Sequence, residues 1–204
     1  FAYRRLDPPE FAALGRAAQT WGVTVNDVLL AILLRTLEPF AGVRLPQNPR
    51  HELAVASIIS LRRDVGADPA TTFGQFLSSF RISHALPPGI SLEQIARDVH
   101  AETARIKDRK LYLQSLLGVA MSGALWRFLS PEQRAGFYLK HYPTWGAITL
   151  VNIDPLWENA GGHMPPPVYM RAVSTGPLAP MVVVVTVGAG TLHAGISYRR
   201  VAFD

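Results

Sequence analysis

The run Met181-Val-Val-Val-Val-Thr186 has no polar face. A strand that is apolar at nearly every position must be covered on both sides, so this segment demands the interior of a sheet with material above and below it. Gly188-Ala189-Gly190 follows as a hairpin turn. Residues 192–198 then alternate, with Leu192, Ala194, Ile196 and Tyr198 on one face and His193 on the polar side. Upstream, residues 148–153 and 168–173 are further strand candidates. Between them, residues 155–167, with Gly161-Gly162 and Pro165-Pro166-Pro167, read as a surface loop.

The first two thirds read differently. Asp7-Pro8-Pro9-Glu10 combines a capping box with proline at the first helical position, and Phe11, Leu14, Ala18 and Trp21 then share one face up to a stop at Gly22. Thr24-Val-Asn-Asp27 is a second box. It launches Val28-Leu-Leu-Ala-Ile-Leu-Leu34, apolar all round and therefore expected to be buried on most sides. Residues 53–59 and 73–82 read as strands. Ser91-Leu-Glu-Gln94 opens an amphipathic helix that places Leu92, Ile95, Val99 and Ile106 together, and Ser130-Pro131-Glu132-Gln133 opens another. Helices and strands in this order predict an α/β (α+β) fold, a mixed sheet with helices packed on it, as one unit over residues 1–204.

The chemistry the chain excludes is as informative. Cysteine is absent, which removes disulfides, thiolate metal sites and a cysteine nucleophile. The six histidines, His51, His84, His100, His141, His163 and His193, form no His-x-x-x-His or His-Glu-x-x-His pair, so no metal site is expected. There is no Gly-x-Ser-x-Gly elbow, P-loop or dinucleotide fingerprint. Glu93, Asp98 and Glu102 read as a solvated helix face, and His100 beside them as a surface residue. Net charge is +5, but the arginines are scattered and lysine is confined to Lys107, Lys110 and Lys140, so no nucleic-acid partner is expected. No signal-peptide pattern opens the chain, and a cytoplasmic location is the expectation. The first residue is Phe1 rather than methionine, and the chain is expected to be part of a longer polypeptide.

Several segments, in order, resemble one superfamily. Thr24-Val-Asn-Asp-Val-Leu-Leu-Ala31 is similar to the Asn-Asp-Val-Val-Leu-Ala motif of bacterial wax ester synthase/diacylglycerol acyltransferases. These belong to the chloramphenicol-acetyltransferase-like superfamily, with the condensation domains of nonribosomal peptide synthetases and the polyketide-associated acyltransferases. Ser60-Leu-Arg-Arg-Asp-Val-Gly66 resembles their arginine-bearing strand end, and Phe73-Gly-Gln-Phe76 their Phe-Gly-Asn segment, with glutamine for asparagine. Leu150-Val-Asn-Ile153 falls where they carry a Ser-Asn strand, with valine in the first place. Thr191-Leu-His-Ala-Gly-Ile-Ser-Tyr198 matches their closing strand.

All these segments belong to the C-terminal lobe of a two-lobed enzyme. The general base of that superfamily lies in a His-His-x-x-x-Asp-Gly motif of the N-terminal lobe, and that motif is absent here. The resemblance therefore implies no catalytic residue in this chain and a missing N-terminal lobe as partner, in the same polypeptide or another. It implies an acyl thioester donor on coenzyme A or on the phosphopantetheine of an acyl carrier protein, with no resident cofactor. Arg62, or Arg63 if the register slips, would meet the motif aspartate of the other lobe; a solvated strand-end arginine is the plainer reading. Asn26 and Asp27 would line the tunnel, cap the helix, or both. Asn152 would line the tunnel or make ordinary strand hydrogen bonds, and Trp145 and Trp157 read as core or lid packing. A non-catalytic docking module for carrier protein or lipid is the rival function, and a salt-sensitive basic surface protein a third. An exposed interlobe face is expected to drive dimerisation.

Overall fold

The all-apolar strand lies inside a six-stranded mixed sheet with the order β1-β6-β5-β4-β2-β3. In the computed structural model the described residues are 1–41, 52–68, 71–134, 144–155, 168–175 and 179–203. The strands are β1 (Ala2–Leu6), β2 (Leu53–Ser60), β3 (Leu77–His84), β4 (Gly146–Asn152), β5 (Met181–Gly188) and β6 (Thr191–Tyr198). The helices are α1 (Pro8–Trp21), α2 (Val25–Ala41), α3 (Leu92–Asp108) and α4 (Gln114–Trp126). Strands β2, β4 and β5 run parallel, and the remaining pairs are antiparallel.

Helices α1, α2 and α3 cover one face of the sheet. A Cβ on Gly146 would meet Leu33 and Leu37 of α2, so even positions of β4 face the helices. Through the register, Ile148, Val183, Val185, Ala194 and Leu192 lie on that side. They join Leu30, Leu34, Leu37, Val55, Ile95 and Val99 in one core. As expected, α2 is buried on most sides, and the capping signals hold: Glu10 accepts from the Asp7 N–H, Ser91 Oγ accepts from the Gln94 N–H, and Gly22 ends α1 in the left-handed region.

The opposite face is covered differently. Residues 168–173 form no strand. Both hydrogen-bonding edges of β5 and β6 are already taken, by each other, by β4 and by β1, so this segment lies on the face instead. A Cβ on Gly195 would stand only 2.1 Å from the Arg171 carbonyl oxygen, and Arg171 itself reaches Thr186 Oγ1 and the Val185 carbonyl. Val184 and Thr186 are buried under this cover, which gives β5 its two covered faces.

Three other expectations shift. Strand β3 begins at Leu77, because residues 71–76 turn back over the end of β2, where the Leu61 N–H donates to the Phe76 carbonyl. Strand β1 and helix α4 carry no sequence signal of the expected kind: β1 is an exposed edge, and α4 has no polar outer face. His193 is buried against Tyr3 rather than solvated. The helix expected after Ser130 is present over 131–134. The loop expected over residues 155–167, apart from Pro155, and Trp157, His51, His141 and His163 lie outside the described residues.

Candidate functional site

The carboxyl ends of the parallel strands gather the candidate residues. The parallel β2–β4 pairing runs from Val55 and Gly146 to Ser57 and Ile148, and both strands continue past it in the same direction, to Ser60 and Asn152. Arg62 and Asn152 therefore leave the same end of the sheet on neighbouring strands. Helix α3 runs toward that end, from the His84–Asp98 contact to the Lys110–Asp64 ion pair of 2.9 Å. Helix α2 runs the opposite way, with Arg35 donating to the Ile90 carbonyl and Asp27 meeting His100 and Thr103. Its first turn, with Asn26 and Asp27, thus points toward the Arg62 end.

Arg62 is held by its own loop. Residues 62–66 turn after β2, closed by the Ala67 N–H on the Arg62 carbonyl, with Gly66 at φ 64°. The guanidinium donates through Nη1 to the Thr72 carbonyl at 2.9 Å and through Nη2 to the Gly74 carbonyl at 3.3 Å. Its carbon stands 4.8 Å from the centre of the Phe76 ring. A guanidinium has five N–H donors and never loses its charge at neutral pH. Its partners among the described residues are carbonyl oxygens and a ring face, none of which neutralises it. The side chain is half-buried at an open cavity of about 410 Å³, lined by Ser60, Arg62, Phe73, Gly74, Gln75, Phe76 and Leu77. Arg63 is exposed. Asp64 anchors the turn from below: besides Lys110, it accepts from Tyr112 Oη at 3.0 Å. The hydrogen bond from Lys110 is the main reason its carboxyl lies below the usual range.

Asp27 is fully buried. Its carboxylate accepts from the Thr24 N–H and Oγ1, from Thr103 Oγ1 and from His100 Nδ1, the last at 2.8 Å. Burial pushes this carboxyl up, but the hydrogen bonds from Thr24, His100 and Thr103 outweigh it and leave it below 3.8. Asp27 is therefore a cap that also clips α2 to α3, and its oxygens are already engaged. Asn26 beside it is half-buried. Asn152 is exposed, and its Oδ1 accepts from the Asp154 N–H at 3.0 Å; Asp154 in turn accepts from the Ala189 N–H in the β5–β6 turn. Trp145 packs against the core. Of the four sequence candidates, Arg62 alone is shown presenting a charged group to a cavity.

Two groups escaped sequence reasoning. His100 looked like a surface residue because its partner lies 73 positions away. Tyr3 Oη lies 2.7 Å from His193 Nδ1 across the β1–β6 pair, an edge contact with no local signal. Among the described residues no group of histidine, cysteine, aspartate and glutamate is arranged to hold a metal ion.

No family model matches the chain, and no curated protein matches it. Solved structures do. The first condensation domain of the CDA synthetase superposes with a TM-score of 0.53 at 18% identity, over 98% of this chain and 40% of that one. The epimerization domain from the third module of tyrocidine synthetase B gives 0.60 at 15%, over 98% and 42%. The polyketide synthase associated protein 5 from Mycobacterium tuberculosis gives 0.56 at 14%, over 95% and 44%. The chain spans about two fifths of each of these structures. It has the chloramphenicol-acetyltransferase-like fold that condensation and epimerization domains share, and it covers one part of that fold.

Proposed function

We propose that the chain is the C-terminal lobe of a condensation-type acyl-transfer enzyme, and that Arg62 docks it onto the lobe that carries the general base. The observation that carries this reading is an arginine at an open cavity whose orientation is fixed by two backbone carbonyls and an aromatic face, with no carboxylate partner among the described residues. A carboxylate from the facing lobe is the natural counterpart, since the planar fork matches two oxygens at once. The likeness to condensation domains supports the same arrangement.

In that assembly the chain forms one wall of a tunnel. A histidine of the other lobe takes the proton from an amine or hydroxyl acceptor as its nitrogen or oxygen attacks the thioester carbonyl. The new C–N or C–O bond forms, the C–S bond breaks, and the thiol of coenzyme A or of a carrier-protein phosphopantetheine leaves with the proton. This lobe contributes position and the exclusion of water, each of which multiplies the rate only when the geometry is held closely. Such an enzyme would work in the cytoplasm, where these thioesters are made.

The test is made on the protein expressed from its full reading frame. Acyl thioesters of coenzyme A and of a loaded carrier protein are offered with amine and alcohol acceptors, and product is read by mass spectrometry together with free thiol. Thiol release that requires an acceptor, and that drops in Arg62→Ala, supports the reading. Binding of loaded carrier protein with no transfer under any pairing assigns the chain to a docking module instead.

A further inference from the structure

Helix α4 is inside out. Its protein-facing side is small and polar: Ser115 hydrogen-bonds Ser78 and the Tyr112 carbonyl, and Gly118 and Ser122 are half-buried on the same side. Its solvent side is apolar. Leu117, Met121 and Leu125 follow one another at steps of four and so form one stripe on a helix of 3.6 residues per turn, and Leu113, in the 3-10 turn just before α4, and Phe128, in the turn just after it, extend it at both ends. Leu117 is 64% exposed and Phe128 87%. Leu116, Ala120 and Ala124 widen the stripe on one flank, all exposed. A helix on a water-facing surface shows the reverse pattern, with its apolar side against the core. A contiguous exposed apolar face of this kind marks a contact with a non-aqueous partner.

The charges around the helix identify that partner. From Arg109 to Pro131 the sequence contains no acidic residue; Lys110 is paired with Asp64, while the exposed Arg109 precedes the stripe and Arg127 stands on the edge of its exposed arc. Arg127 also closes an open groove of about 510 Å³ whose other walls are Ala120, Gly123, Ala124 and Phe128. A shallow apolar trough with a guanidinium at one end suits an acyl chain beneath an anionic headgroup. The helix is 13 residues long, about 20 Å, against a hydrocarbon core of about 30 Å. Among the described residues no single helix is long and apolar enough to cross a membrane. A short helix with an apolar face, cations at its ends and no acid between them is built to lie in the plane of the headgroups.

We propose that α4 is an interfacial helix that seats this protein on anionic lipid, with the Leu113–Phe128 stripe entering the acyl boundary and Arg109 and Arg127 meeting headgroups. The proposal uses none of the residues that line the Arg62 cavity.

The full-length protein is mixed with vesicles of phosphatidylcholine alone and of phosphatidylcholine with phosphatidylglycerol, and sedimented. Binding to the anionic vesicles alone, released by salt, is expected. The triple variant Leu117→Ser, Met121→Ser, Leu125→Ser should bind more than about tenfold more weakly. Arg109→Gln with Arg127→Gln should weaken binding and flatten its salt dependence. Circular dichroism confirms that both variants keep their helix content. Failure of the unmodified protein to sediment with anionic vesicles overturns the proposal, as does a triple variant that sediments undiminished. A solution dimer that the triple variant dissolves, without lipid binding by either protein, assigns the stripe to a protein contact and equally overturns it.

Discussion

The buried carboxylate of Asp27 and the imidazole of His100 are joined by a 2.8 Å hydrogen bond that ties the first turn of α2 to the middle of α3. With Thr24 and Thr103, it gives Asp27 partners from both helices and from the cap at once. Removing the carboxylate strands the buried Thr103 hydroxyl and unties α2 from α3, while the exposed Thr24 and the partly exposed His100 can turn to water. Asp27→Ala is expected to cost about 3 kcal/mol, read as a lower urea midpoint, and Asp27→Asn somewhat less because an amide keeps one acceptor oxygen.

The same carboxyl sets an acid limit. Its folded-state pKa lies below its ordinary value of 3.8, so on acidification the unfolded chain takes up the proton first. The stabilisation is complete above that value and is lost as pH falls through the folded one. Denaturation curves taken on either side of pH 4 should show the loss, and Asp27→Asn should remove this component of it.

His193 works at a higher pH. Burial, and then the Arg5 charge that faces it across the β1–β6 pair, hold its pKa below 6.5. Tyr3 faces it from β1 and Thr186 from β5, and neither supplies a negative charge at neutral pH. The unfolded chain again binds the proton first. Stability is complete above 6.5 and falls as pH drops toward the folded value. The midpoint should therefore decline between neutral pH and about pH 5, and His193→Gln should flatten that decline. A profile unchanged by the substitution would assign the decline to other groups.

How far the sequence carried is visible in particular residues. The uniform apolarity of 181–186 demanded a central strand, and the capping boxes at Asp7, Thr24 and Ser91 located α1, α2 and α3, because those signals are local and read from neighbouring residues. Helix α4 escaped because amphipathic reading looks for a polar outer face, and here the apolar stripe points outward. Residues 168–173 looked like a strand because propensity does not know which sheet edges are already paired. Arg62 was legible as a position, through the segment that follows β2. Its pairing with the Thr72 and Gly74 carbonyls was not, because a loop ten residues away folds back to supply them.

At Gly195 the sheet comes close to the segment that covers its second face. With the Arg171 carbonyl oxygen only 2.1 Å from where a Cβ would stand, no side-chain rotamer relieves the clash, and one backbone must move. Gly195→Ala should cost about 2 kcal/mol, and should lift residues 168–175 from the sheet. Limited trypsin digestion would then cut at Arg171 faster than in the unmodified protein. An unchanged digestion rate at that bond would mean that the segment holds elsewhere.

Arg62 is the position at which charge and geometry can be separated. Lysine keeps the charge but is a single point donor: it cannot span the Thr72 and Gly74 carbonyls together, and it loses the flat stacking on Phe76. If the arginine only decorated the surface, Arg62→Lys would leave both stability and turnover unchanged. If it positions a facing carboxylate, as proposed, the lysine variant should keep the fold to within about 1 kcal/mol yet lose about 10- to 100-fold in kcat, with KM for the acyl donor little altered. Phe76→Leu, which removes the ring and leaves both carbonyl contacts in place, should fall between the lysine variant and the unmodified protein. The kinetics are read on the full-length protein, and equal losses in kcat and in the urea midpoint across the three variants would reduce Arg62 to a structural residue of its loop.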